Sequence, residues 1–162
     1  MADQPDYILP SEPSAEAICR LVQYWRARCV DGRLPARRDI DPVALAFVLP
    51  NIFLMDVLPA EEPRNRFRFR LFGTELARIH GRDLTGRTFH DALEPEPADG
   101  AVRHAMRLVE GRVPLFVSGK VRYLANKEWL SFENCLLPLQ DEAGAVNIIL
   151  GATVYGLPSR AV

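Results

Sequence analysis

Residues 66–87 read RFRFRLFGTELARIHGRDLTGR, and the hydrophobic period changes halfway through. Arg66, Arg68 and Arg70 alternate with Phe67, Phe69 and Leu71, the two-residue rhythm of a strand with one wet and one buried face. Gly73 and Thr74 break it. Leu76, Ala77 and Ile79 then supply one or two helical turns, which Gly81 can close because glycine accepts the left-handed geometry of a helix end. A second small-residue turn, Asp83-Leu84-Thr85-Gly86, follows at once. The passage reads as a strand that runs through a glycine into several very short helices.

Working outward, residues 1–13 hold three prolines and little periodicity, and read as a loose tail. Ser14 can cap a helix reaching about Cys29, with Ala15, Ile18, Leu21, Val22 and Trp25 on one stripe. Asp41-Pro42 is a second start signal, a carboxylate cap followed by a proline set for the first helical position. Pro50 keeps that helix short. Residues 52–58 (IFLMDVL) are apolar at nearly every position, as in a strand buried on both faces. Thr88 and Asp91 can form a capping box. Asp99 can cap a longer helix through Glu110, with Ala101, Val102, Ala105, Met106 and Val109 inward and Gly111 as its stop. Three further apolar runs, joined by connections of hairpin length, complete the chain.

The expected strands are therefore 51–58, 66–72, 113–122, 129–139 and 145–155. Helices precede them and fill the gap between the second and third. Antiparallel strands with segregated helices make the fold α+β, one domain over residues 14–157 with tails at 1–13 and 158–162. The 162 residues suffice for one hydrophobic core, and a net charge of −1 creates no overall field for nucleic acid or acidic membranes. No run has the length of a membrane span, and the N-terminus lacks the basic and apolar segments of a signal peptide. Cys19, Cys29 and Cys135 are too scattered for a disulfide framework. A reduced, cytoplasmic protein is the expectation.

Five segments in order carry a resemblance: Tyr24-Trp25-Arg26, residues 34–42 (LPARRDIDP), residues 81–87 (GRDLTGR), Leu136-Leu137-Pro138-Leu139 and Ile149-Leu150-Gly151-Ala152. Over roughly residues 15–155 the chain resembles the PAS domains, and more narrowly the stand-alone bacterial PAS-like proteins. The resemblance implies a five-stranded antiparallel sheet curled over short helices, with an N-terminal helix. It also implies a sensory habit, the reception of a small molecule or signal and its relay to a partner. It fixes no chemistry, because the same fold serves many ligands and sometimes none.

Two functional readings follow. In the first, helices arching over the sheet leave a pocket for a small, mostly apolar ligand, with Phe67, Phe69, Leu71, Ile79, Met106, Phe116 and Phe132 facing it and Asn134 as polar anchor. In the second, the interior is filled and the chain is a dimerisation or interaction module. Either way the stripe Ile18, Leu21, Val22 and Trp25 must be covered, by its own sheet, by a second copy or by both, and a homodimer built partly on it is expected. No kinase, DNA-binding or cyclase segment follows Tyr155, so a signal is expected to leave through an effector protein.

The remaining candidates have plainer readings. The Arg64, Arg66, Arg68, Arg70 stripe, without interleaved exposed aromatics, reads as solvated or paired with carboxylates rather than as a nucleic-acid footprint. Arg37, Arg38 and Asp39 mix signs at close quarters and suit either a structural network or a clamp. Some PAS domains hold haem through a histidine on the long helix, where His104 falls, but a structural histidine is the commoner case. Flavin chemistry through a cysteine adduct needs a thiol on a short helix, whereas Asn134-Cys135 lies in a strand. No nucleophile stands near a base, and no phosphate loop or metal-ligand spacing occurs, so an enzyme is not expected.

Overall fold

A computed structural model describes residues 7–122 and 124–156. The elements follow in the order β1 (Tyr7–Ile8), α1 (Glu16–Arg26), β2 (Ile52–Val57), β3 (Phe67–Phe72), α2 (Thr74–His80), α3 (Phe89–Ala92), α4 (Pro95–Gly111), β4 (Leu115–Lys120), β5 (Ser131–Gln140) and β6 (Val146–Gly156). The strands form one antiparallel sheet in the order β1-β4-β5-β6-β2-β3. All five expected strands are present. The sixth, β1, falls in the stretch read as a loose tail: Tyr7 pairs with Gly119 and Ile8 with Ser118. Residues 1–6 and 158–162 of the expected tails lie outside the described residues.

The sheet separates two cores. On one side α1 and the segment 40–48 cover Leu54, Phe116, Cys135, Leu137, Leu139, Ile148 and Leu150. On the other, α2–α4 cover Phe53, Met55, Phe67, Phe69, Leu136 and Ile149. Both faces are therefore buried at Ile52–Met55 of β2, Cys135–Leu139 of β5 and Ile148–Ala152 of β6, which is why those stretches are continuously apolar.

The N-terminal cover is held by the motif residues. Trp25 Nε1 donates to the Pro138 carbonyl at 3.0 Å, and the Tyr24 hydroxyl accepts from the Asp41 amide at 2.7 Å. Arg28 lies over the Tyr24 ring and donates to the Asp39 carbonyl. Asp39 in turn accepts from the Ala36 amide, Arg37 donates to the Ile40 carbonyl and Arg38 reaches Glu142. The mixed-charge cluster is thus a structural network.

Ile18, Leu21, Val22 and Trp25 are 0%, 0%, 1% and 4% exposed against the chain's own sheet. The stripe expected at a dimer is thus covered by the protomer's own sheet. Ser14 does not cap α1 through its side chain. Glu133 of β5 does so instead: its carboxylate accepts from the Ser14 and Ala15 amides at 2.8 and 2.9 Å and from the Ser14 hydroxyl at 2.6 Å. A carboxylate at the N-terminal end of a helix satisfies orphan amide donors and complements the helix dipole.

The decisive stretch behaves as read up to Arg70. There β3 bulges: Met55 pairs with Phe69 but Leu54 with Leu71, so Arg70 is an extra residue. An inserted residue reverses the facing of everything after it. Leu71 consequently turns outward, 40% exposed, and Phe72 takes the inward place. Gly73 is required by close approach, since a Cβ there would stand 2.2 Å from the Pro50 carbonyl oxygen. Gly81, at φ 77°, ends α2 as expected. Gly86 donates to the Phe69 carbonyl and Arg87 accepts from the Phe69 amide, so GRDLTGR lies along the β3 edge and covers it.

Three helix signals resolve differently. Asp41 caps only a turn, accepting from the Val43 amide. The long helix α4 starts four residues before Asp99, at Pro95, where a proline at the first position costs no hydrogen bond. Its left-handed end falls on Arg112, φ 56°, one residue past Gly111. The Arg112 guanidinium donates to the Gly144 carbonyl and to Gln140 Oε1, which holds that conformation. The capping box at Thr88 and Asp91 is formed as read.

Candidate functional site

The helical side of the sheet is not filled. Between the sheet and α2–α4 lies a partly open cavity of about 800 Å³. Strand residues form its floor: Phe53, Phe69, Val117, Phe132, Asn134, Leu136, Thr153 and Tyr155. The wall comes from Phe72 at the end of β3, Leu76 and His80 on α2, Leu84 in the turn after it, Phe89 on α3, and Gly100 and Ala101 on α4. Tyr7, Glu94, Glu96, Arg103, His104, Lys120 and Arg122 stand around it.

Strand parity decides which side chains reach the cavity. On β5, Phe132, Asn134 and Leu136 face it, while Glu133 and Cys135 face α1. On β6, Thr153 and Tyr155 face it. The rings form an edge-to-face cluster, with Phe69 at 5.7 Å from Phe53, 5.1 Å from Phe72 and 5.6 Å from Phe89.

Within this apolar lining one polar group is unfinished. Asn134 Nδ2 donates to Thr153 Oγ1 at 2.8 Å, but Asn134 Oδ1 is buried without a partner among the described residues. Exchanging the amide oxygen and nitrogen does not remove the deficit, because a hydroxyl can donate or accept and one amide terminus stays unpaired either way. A buried unsatisfied amide costs about 1–3 kcal/mol.

Two histidines complete the polar lining. Burial first, and then the charge of Arg82, push His80 down to about 4. His80 meets the Phe72 ring edge-on at 5.3 Å, with its Nε2 3.5 Å from the Tyr155 hydroxyl. His104 is also pushed down, by burial and then by Arg103 and Arg107, and its ring meets Tyr7 edge-on at 5.2 Å.

Of the eight pocket residues expected from sequence, the structure brings Phe69, Phe132 and Asn134 together in the lining. Phe67 is fully buried in the core beneath, and Met106 packs at its margin with Arg66 Nη1 3.3 Å from its sulfur. Ile79 joins a small separate cluster with Val121 and Leu130. Leu71 is turned out by the bulge. Phe116 belongs to the opposite core, beside Cys135, and Val117 occupies the position expected of it. The run from Val113 to Val117 is apolar at both parities apart from its proline, so it carries no facing signal.

Sequence reasoning missed Phe53, Phe72, Phe89, Thr153 and Tyr155. Phe89, directly after the capping threonine, was the most legible of these. The cysteines all lie elsewhere: Cys19 and Cys29 are at α1, and Cys135 faces away with its thiol pushed up to about 12 by burial. No cysteine therefore lines the cavity. The arginines at β3 do not form one stripe, since Arg66 reaches Met106 on the helical side and Arg70 pairs with Asp56 at 2.7 Å.

Among solved structures, the chain is similar to the N-terminal domain of a diguanylate cyclase with PAS/PAC sensor from Marinobacter aquaeolei. That likeness has 12% identity over 64% of this chain and 91% of that one, with a TM-score of 0.46. It is also similar to a light-oxygen-voltage domain studied with a flavin analogue, with 17% identity over 65% and 76% and a TM-score of 0.44. An RNA-binding light-oxygen-voltage receptor matches at 16% identity and a TM-score of 0.48, over 91% of this chain but 37% of that one. No curated protein sequence matches. The sequence model of the PAS domain family matches residues 13–154. That span runs from before α1 into β6, all but the last two residues of that strand, and agrees with the α+β order of elements, so the chain belongs to the PAS domain family.

Proposed function

We propose that this protein is a sensory module that holds a small, mostly apolar molecule in the cavity and relays its presence by protein–protein contact. The observation that carries the reading is the ring-lined cavity of about 800 Å³, with the Asn134 side chain among its lining residues. Ligand sites combine a large apolar surface with a few placed polar groups, and volumes of ~300–1,000 Å³ are usual. A turn of the buried Asn134 amide into the cavity would let a ligand atom complete it and fix the ligand's orientation.

The register of β5 supports the relay. Asn134 faces the cavity while its neighbour Glu133 holds the start of α1 on the other side. A shift of β5 on binding would therefore be felt at the outer helix, where a partner can read it.

Native mass spectrometry of protein purified from its own host tests the reading. A non-covalent adduct is expected on wild type and is lost in Asn134→Leu and in Val117→Phe, which fills the floor. If no adduct appears, and no compound from an apolar fragment library raises the melting temperature of wild type more than that of Val117→Phe, the sensory-ligand reading fails.

A further inference from the structure

We propose that residues 42–50 form an interface between two copies of this chain, related by a two-fold axis that sets Arg20 of each against Asp41 of the other. The inference does not depend on what the cavity holds. The segment reads PVALAFVLP, with no polar side chain in it. Leu45 and Val48 point inward, each 1% exposed, and join the core beneath α1. The rest forms an outward apolar face: Val43 is 82% and Leu49 40% exposed, the two alanines and both prolines are exposed, and Phe47 is half-buried. The amides of Leu45, Ala46 and Val48 are spent on turns within the segment, bonding the Pro42, Val43 and Leu45 carbonyls, so the face presents side chains rather than a strand edge. A contiguous apolar surface of this kind marks a site of association.

The rim identifies the occupant. The segment runs along α1, where the Tyr24 hydroxyl accepts from the Asp41 amide and the Arg20 guanidinium lies 3.9 Å from the centre of the Phe47 ring. Arg20 precedes Tyr24 by one helical turn, about 6 Å along the axis. The α1 edge of the face therefore carries one charge of each sign, Asp41 at its start and Arg20 beside Phe47. Both residues are exposed, and neither has an ion-pair partner among the described residues. At the other end Pro50 abuts Gly73 at the start of α2, where Glu75 and Arg78 already pair with each other. A two-fold contact joins a surface to itself, so it must be self-complementary. This face meets that condition, with apolar against apolar in the middle and Arg20 opposite Asp41 on either side of the axis. A solely acidic partner would answer Arg20 and oppose Asp41, and a basic one would do the reverse.

Sedimentation equilibrium of the full chain from ~1 to ~300 µM tests this, the range suited to a face at the small end of specific interfaces. Wild type should pass from monomer to dimer within it. Val43→Asp, at a position open to solvent in the protomer, should stay folded and remain monomeric throughout. Arg20→Asp and Asp41→Lys each turn both ion pairs into like-charge contacts, and each should weaken the dimer by about tenfold or more. Mixed in equal amounts, these two variants should dimerise as wild type does, because in the mixed dimer every pair again joins opposite charges. Val43→Asp and Arg20→Asp leave the Asp41 turn intact, so they test the interface even if Asp41→Lys does not fold. A wild type that stays monomeric, which leaves the face to a different partner, would overturn the proposal, and so would a dimer indifferent to Val43→Asp. Folded single variants whose mixture dimerises no better than either alone would overturn the pairing on which the choice of a second copy rests.

Discussion

Gly151→Ala bears directly on how the cavity floor is built. Gly151 of β6 pairs with Phe53 of β2, and the Phe53 ring lies across the space a side chain would occupy. A Cβ at position 151 would stand 2.0, 2.2 and 2.5 Å from Phe53 Cζ, Cε2 and Cε1. Carbon atoms prefer separations of about 3.5–4.0 Å, so the ring must retreat by roughly 1.5–2 Å. Phe69 stands edge-on at 5.7 Å, and the free space is the cavity, so the ring should swing into the ligand volume. Overpacking of this kind costs about 1–3 kcal/mol. At ~2–4 °C per kcal/mol for a domain of this size, the melting temperature should fall by about 2–12 °C.

The control is Phe53→Leu, which removes the ring. In the double variant the Gly151→Ala penalty should largely vanish, giving a coupling of about 1 kcal/mol or more in urea-denaturation cycles. If Gly151→Ala matches wild type within ~0.5 kcal/mol, or if the two changes are additive, the packing described here is wrong.

Three further outcomes are expected. Glu133→Ala should cost about 1–2 kcal/mol by removing the acceptor for Ser14 and Ala15, and hydrogen exchange should accelerate first at the start of α1; faster exchange spread evenly over the chain would contradict the capping role. Phe116→Ala and Phe69→Ala should each lose about 3–5 kcal/mol, but only Phe69→Ala should weaken ligand binding beyond its effect on the folded fraction; a specific effect of Phe116→Ala would reverse the assignment of faces. His80, depressed in the folded protein to about 4 from an ordinary 6.5, is neutral in both states above pH 6.5 and takes its proton more readily when unfolded below it. Stability should therefore be full above pH 6.5 and fall by up to about 3 kcal/mol as pH drops towards 4, and His80→Gln should flatten that part of the profile measured by urea titration at each pH.

The fold was largely legible because the strand and helix periods alternate clearly and the glycines sit where backbone geometry demands them. Gly73 and Gly81 marked real boundaries, and the Thr88–Asp91 box was formed as read. The site was less legible, for three physical reasons. Strands buried on both faces, such as β2 and the Val113–Val117 run, carry no parity, so Phe53 and Val117 could not be separated from Leu54 and Phe116. The bulge at Arg70 has no sequence signature here, since the residue is neither glycine nor proline, and it exchanged Leu71 for Phe72. The cap on α1 comes from Glu133, 118 residues beyond Ala15, and no local motif announces it. The burial of Ile18, Leu21, Val22 and Trp25 was foreseen, but which surface would bury them depended on tertiary packing. The two-residue β1 lay below any propensity signal, yet it brings Tyr7 to the mouth of the cavity.

The most direct measurement is a high-resolution crystal structure of protein purified from its own host without added ligand. The account predicts continuous non-protein density among Phe53, Phe69, Phe89 and Phe132, with one atom within hydrogen-bonding distance of the Asn134 side-chain amide. A cavity closed by inward rotation of those rings, or one holding only water with the Asn134 amide satisfied by it, would contradict the account.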